Sequence, residues 1–140
     1  MGLDMYLRAN REFTLYVKEH STLNDVLRCE NDGLLCYWRK VNQIHGWFVD
    51  NIQEGTDDQD EYEVFVEDLE ALLGLVDEAL DNPDEARGIL PPMSGFFFGS
   101  SEIDEYYWYD LRQTKHALEE IIKCCKEYNK YIFMCYSCWW

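Results

Sequence analysis

The chain has 140 residues, with 28 acidic against 12 basic side chains and a net charge of −16. Such a field repels phosphate backbones and argues against nonspecific nucleic-acid binding, and an aromatic content of 16% argues against a disordered chain. The length suits one domain, residues 1–140, with a core of its own, and no run reaches the roughly 20 apolar residues that a membrane span needs.

Residues 3–8 alternate, with Leu3, Met5 and Leu7 on one side and Asp4, Tyr6 and Arg8 on the other, the period of a half-buried strand. Asp4 and Arg8 also interrupt any signal-peptide core at the N-terminus. The stretch 12–18 (EFTLYVK) is rich in β-branched and aromatic residues and predicts a second strand. After Gly33, the residues Leu34, Trp38, Val41, His45, Phe48 and Ile52 fall at spacings of four and three, the stripe of an amphipathic helix. Gly46 within it would allow another backbone or a ligand to approach closely.

Residues 53–63 read as an acidic surface loop, and 62–66 as a short strand or an extended entry to a helix over 67–80. Leu69, Leu72, Leu73, Val76 and Leu80 form the inner face of that helix, and Asn82-Pro83 ends it. Leu90-Pro91-Pro92 is extended, and 95–100 (GFFFGS) is a glycine-bounded aromatic strand or loop. Ser101 stands where an N-cap is expected for a long helix over 102–128, with Tyr107, Leu111, Thr114, Leu118, Ile121, Cys125 and Tyr128 along one face. Residues 131–140 (YIFMCYSCWW) read as a terminal strand that pairs with the first. The expected fold is α+β, three main helices packed on a small antiparallel sheet that joins the N-terminal and C-terminal strands.

Chemistry concentrates in 37–48. Arg39, Asn42 and His45, three apart, would share one side of a helix between Trp38 and Trp47. Arginine supplies a planar fork for phosphate or carboxylate, asparagine a base-reading amide, and the rings a stacking surface. A core helix with one hydrogen-bonded histidine and an exposed Arg-Lys pair accounts for the same pattern. The segment ending in Ser100 and Ser101 would present backbone N–H groups to an anion at a helix entry, although it lacks the Gly-Lys-Ser/Thr of a phosphate loop.

Cys135 and Cys138 have zinc-knuckle spacing but no second Cys or His pair, and in a strand they would face opposite sides. The six cysteines are therefore expected to be free thiols, with no metal and no cofactor. Between Lys40 and Arg87 there is no lysine or arginine, while 15 of the 28 acids lie there. That stretch is a solvated acidic face or a surface for a basic partner. No nucleophile-and-base motif occurs, and an acid–base pair would need His45 and Asp104 on abutting helices.

MGLDMYL at 1–7, YWRKxNxIHxWF at 37–48, LPPxxGFFFGS at 90–100 and the closing YSxW at 136–139 together resemble a family of small phage and prophage proteins. The resemblance covers nearly the whole chain and implies a bacterial cytoplasm as the setting. It marks Asp4, Tyr37, Trp38, Arg39, Lys40, Asn42, His45, Trp47, Gly95, Phe98, Gly99 and Asp104 as signature positions, more polar and aromatic residues than a core needs. The expected ligand site is therefore Tyr37, Trp38, Arg39, Lys40, Asn42, His45, Trp47, Phe98, Ser100 and Asp104. The expected function is small-molecule binding, sequestering a nucleotide-derived host defence signal. The expected partner is a nucleotide-like ligand, with a homodimer if pockets are shared, and without direct nucleic-acid or membrane binding. The alternatives are an acidic inhibitor or DNA mimic acting through residues 54–85, and a small nucleotide hydrolase or transferase using His45 and Asp104.

Overall fold

The computed structural model describes residues 2–94 and 101–140. The order of elements is β1 (Asp4–Ala9), α1 (Arg11–His20), β2 (Leu34–Arg39), α2 (Asn42–Asn51), β3 (Tyr62–Val64), α3 (Val66–Asp81), a 3₁₀ turn (Pro83–Glu85) leading into the one-turn α4 (Ala86–Ile89), α5 (Glu105–Glu127) and β4 (Met134–Trp139). The fold is α+β, built on a four-stranded antiparallel sheet in the order β2-β1-β4-β3. The first and last strands are its central pair, with Met5 opposite Cys138 and Leu7 opposite Tyr136.

Strand alternation decides which residues go inside. Leu3, Met5, Leu7, Cys36, Trp38, Met134, Tyr136 and Cys138 are buried on the inner face, where Ile44 and Phe48 of α2, Leu69, Leu72 and Val76 of α3, and Leu111, Leu118 and Ile121 of α5 complete the core. Trp38 carries a polar N–H into that core, and its Nε1 donates to Thr114 Oγ1 at 2.9 Å. The outer face carries Asp4, Tyr6, Arg8, Tyr37 and Arg39, with Arg8 stacked 4.6 Å over Tyr6 and Arg28 5.3 Å over Tyr37. The thiols of Cys135 and Cys138 do point to opposite faces, the second buried, and all six cysteines are free.

Two expected elements are corrected. Residues 12–18 form α1, not a strand. Phe13, Thr14 and Val17 bury one helical face, and Asn10 anchors the helix start to the C-terminal segment, donating to Tyr131 O and accepting from Phe133 N. Packing of that face outweighs the β preference of the residue types. The expected helix over 34–52 is a strand and a shorter helix. Leu34 and Trp38 satisfy a spacing of four in a helix and equally an even spacing in a strand, and the chain turns at Lys40, which adopts φ +58°. Arg39 and Asn42 therefore do not share a helix. Gly33 makes the turn into β2 at φ +96°, where a Cβ would lie 2.7 Å from the Ala9 carbonyl oxygen.

The long helix starts later than expected. Asp104, not Ser101, caps it, its carboxylate accepting from the backbone N–H of Tyr106 and Tyr107 at 3.1 Å each. Among the described residues no helix is long and apolar enough to cross a membrane.

Candidate functional site

β2 ends where α2 and α5 begin, and the three ends enclose a cleft of about 270 Å³. It is lined by Arg39, Lys40, Asn42, Gln43, Glu102, Asp104, Tyr106, Tyr107 and Asp110. Arg39 is held in place from the sheet. Its Nη1 donates to Asp4 Oδ1 at 2.9 Å, and the Tyr37 hydroxyl donates to the same oxygen at 2.5 Å. Lys40 follows in the left-handed region, a conformation that costs a lysine about 1–2 kcal/mol and that glycine adopts freely. Its N–H donates to Leu3 O at 2.7 Å. Gly2 lies under both cations, and a Cβ there would come within 2.9 Å of Lys40 Cε and 3.2 Å of Arg39 Nη2.

The cleft floor is polar and buried. Asn42 Oδ1 accepts from the N–H of Met93 at 2.9 Å, and Gln43 Nε2 donates to Tyr107 O at 3.4 Å. Val41 at the α2 cap position has no polar side chain, so the positive end of that helix opens on the cleft without a side-chain cap. Opposite stand the carboxylates of Asp104 and Asp110 on α5. Burial, reinforced by Asp104, pushes the Asp110 carboxyl up to about 7, so it can donate as well as accept near neutral pH. Tyr107 is fixed through its hydroxyl, which donates to Leu90 O at 2.8 Å, whereas Tyr106 is 71% exposed at the rim.

A second cleft of about 380 Å³ lies on the other side of α2. It runs between Trp47 and Asp50 on α2, Leu75 on α3 and the segment Ile89–Met93, and Gln43 lines both clefts. A Cβ on Gly46 would meet Met93 at 3.5 Å, an ordinary contact, so this glycine is not required for a close approach.

His45 belongs to neither cleft. It is fully buried, with Nδ1 2.7 Å from the Tyr136 hydroxyl and Nε2 2.9 Å from Asp57 Oδ1. Burial pushes its pKa down against the opposing pull of Asp57, so the ring is neutral and carries one proton. Asp57 can only accept, which puts that proton on Nε2, and Tyr136 donates to Nδ1. The expected His45–Asp104 pair is not formed. His45 turns to the interior and takes its carboxylate from the loop after α2, while Asp104 caps α5.

Of the expected site residues, Arg39, Lys40, Asn42 and Asp104 line the first cleft, and Trp47 lines the second. Tyr37 supports Arg39 from the outer sheet face through Asp4, and Trp38 and His45 are interior. Phe98 and Ser100 lie outside the described residues. Sequence reading missed Gln43, Glu102, Tyr106, Tyr107 and Asp110. A signal for part of this set exists, because Asp104, Tyr107 and Asp110 recur every three residues at the start of the long helix, with Tyr107 on its apolar stripe. No family model, curated protein or solved structure matches the chain.

Proposed function

We propose that the protein binds a small nucleotide-like ligand in the cleft between β2, α2 and α5 and holds it without chemical change. In the phage setting that the motif resemblance implies, this is sequestration of a nucleotide-derived host signal in the bacterial cytoplasm. The observation that carries the reading is the meeting of Arg39 and Lys40 with Asn42, Gln43 and Asp110 in one cleft, in a chain whose net charge is −16. Two adjacent cations at the start of a helix suit a phosphate. Carboxyl groups opposite them disfavour a bare phosphate and favour a ligand whose far end donates hydrogen bonds, as a nucleobase with an exocyclic amino group does. Tyr106 supplies a ring at the rim. The volume of about 270 Å³ lies just below the roughly 300 Å³ at which small-molecule sites begin, and the neighbouring cleft across Gln43 adds about 380 Å³ for the rest of the ligand.

The alternatives have less support. Five of the fourteen acids in 54–85 are engaged within the chain: Asp57 with His45, Asp58 with Tyr62, Asp68 with the Phe65 N–H, Asp77 with Lys115 and Glu70 with Lys126. A hydrolase or transferase loses its expected base, since His45 is buried away from the cleft. The test is calorimetric titration with linear and cyclic mono-, di- and trinucleotides. At least one class should bind the wild type, with affinity reduced ten-fold or more in Arg39→Ala. If nothing binds, or Arg39→Ala binds equally, the reading fails, and slow turnover of a bound nucleotide would move it to the enzyme alternative.

A further inference from the structure

The buried polar cluster around His45 contains a feature that the cleft does not use. His45 on α2, Asp57 in the following loop and Cys138 on β4 present a nitrogen, a carboxylate oxygen and a thiol sulfur that all lie within 4.8 Å of one another. They come from three separate parts of the chain, and Cys138 and His45 are buried while Asp57 is partly exposed. We propose that His45 Nε2, the Asp57 carboxylate and the Cys138 thiolate form a binding site for one zinc ion, with a fourth position open to water on the Asp57 side.

The donor set selects the ion. Imidazole, thiolate and carboxylate together match zinc, which takes N, S and O ligands at about 2.0–2.3 Å in a tetrahedron. Calcium and magnesium require six or more oxygens and reject the thiol. Tetrahedral bonds of that length separate the donor atoms by roughly 3.3–3.7 Å, so the trio closes inward by about one ångström. His45 Nε2 and Asp57 Oδ1 already stand 2.9 Å apart, so the closure falls on the separations that involve Cys138.

The surroundings orient these ligands. Tyr136, two residues before Cys138 on the same strand face, contacts His45 Nδ1 at 2.7 Å, and its ring is stacked 3.8 Å from Phe48. This is the outer partner that a metal-bound histidine needs on its second nitrogen. The Cys138 thiol donates to Asp58 O at 3.3 Å, a bond that is given up when the thiolate forms. Coordination is balanced by two proton movements. The Cys138 thiol gives its proton to solvent, and the imidazole proton passes from Nε2 to Nδ1, where it is donated to the Tyr136 oxygen. The ion would fasten the acidic loop 53–61 to α2 and β4, the two elements that carry the other ligands.

The test uses the full chain stripped of metal and titrated with Co²⁺, then with Zn²⁺ in competition. One equivalent of Co²⁺ should give tetrahedral ligand-field bands and a thiolate-to-cobalt charge-transfer band, and Zn²⁺ should abolish both. Cys138→Ser should remove the charge-transfer band, whereas Cys135→Ser, on the opposite face, should keep it. Asp57→Asn, nearly isosteric and partly exposed, keeps the fold testable and should weaken Zn²⁺ by at least 100-fold. Tyr136→Phe should weaken it by about 10–100-fold, as loss of an outer partner does. The proposal is overturned if the folded wild type takes up no Co²⁺, or if the charge-transfer band survives in Cys138→Ser.

Discussion

Trp38 and Arg39 are neighbours in the chain and belong to two different regions. Trp38 is 1% exposed and spends its only polar hydrogen on Thr114, while the Arg39 side chain is 50% exposed at the rim of a cleft. The same division runs through the segment 37–48. His45 and Trp38 close the interior, whereas Arg39, Lys40, Asn42 and Gln43 open on a ligand-sized space. In the interior, Trp38 Nε1 and both ring nitrogens of His45 have their partners inside the protein. In the cleft, two cations, two amides and three carboxyls share a space with solvent. A motif that looks uniformly functional thus contains a half that closes the interior and a half that lines the cleft, and substitution separates them.

The largest expected effect is on the interior side. Trp38→Ala should lose about 3–5 kcal/mol of stability in chemical denaturation, through the cavity and the stranded Thr114 hydroxyl. Arg39→Ala, one residue on, should change stability by less than about 1 kcal/mol, because its ion pair with Asp4 is half-exposed. Equal losses at the two positions would erase the division.

Tyr136→Phe comes next, at about 1–3 kcal/mol, since it leaves a buried ring nitrogen of His45 without its donor. The same histidine sets an acid limit. Its folded pKa is depressed by burial, so the unfolded chain binds the proton more readily, and stability falls as pH drops below the ordinary histidine value of about 6.5. Denaturation midpoints measured between pH 7 and pH 5 should fall in the wild type, and more shallowly in His45→Gln.

Asp110, in the cleft, has the opposite sign. Its folded pKa of about 7 stands above the ordinary 3.8, so the folded state holds its proton and stability is lost as pH rises between those values. Asp110→Asn should therefore melt above the wild type at pH 8 and close to it at pH 4. A wild type that melts as high as Asp110→Asn at pH 8 would remove the protonated donor from the cleft.

How much of this was legible varies with the range of the interactions. The terminal strands, α3 and α5 were readable because their periodicity and their packing agree, as at Leu69, Leu72 and Val76. α1 was not, because the strand preference of its residues gives way to contacts such as Phe13 on Tyr128, the residue that caps α5, at 5.3 Å. The break between β2 and α2 was hidden because lysine carries no signature of a left-handed turn. Arg39, Lys40 and Asn42 stood out as polar residues among aromatics. Their partners across the cleft, Asp104 and Asp110, are separated from them in sequence by more than the length of α3, and so is Tyr136 from His45. Distances of that kind are made by the sheet, which joins the two ends of the chain.

A small expected change in stability belongs to the position that tests the account most directly. Lys40→Gly should relieve a left-handed lysine and leave the melting temperature equal or higher, by a gain of about 1 kcal/mol, while removing one cation from the cleft. The decisive measurement is nucleotide affinity and thermal stability for wild type and Lys40→Gly side by side. The account predicts a loss of affinity of ten-fold or more with stability unchanged or improved. Affinity retained at full strength in a folded Lys40→Gly protein would contradict it.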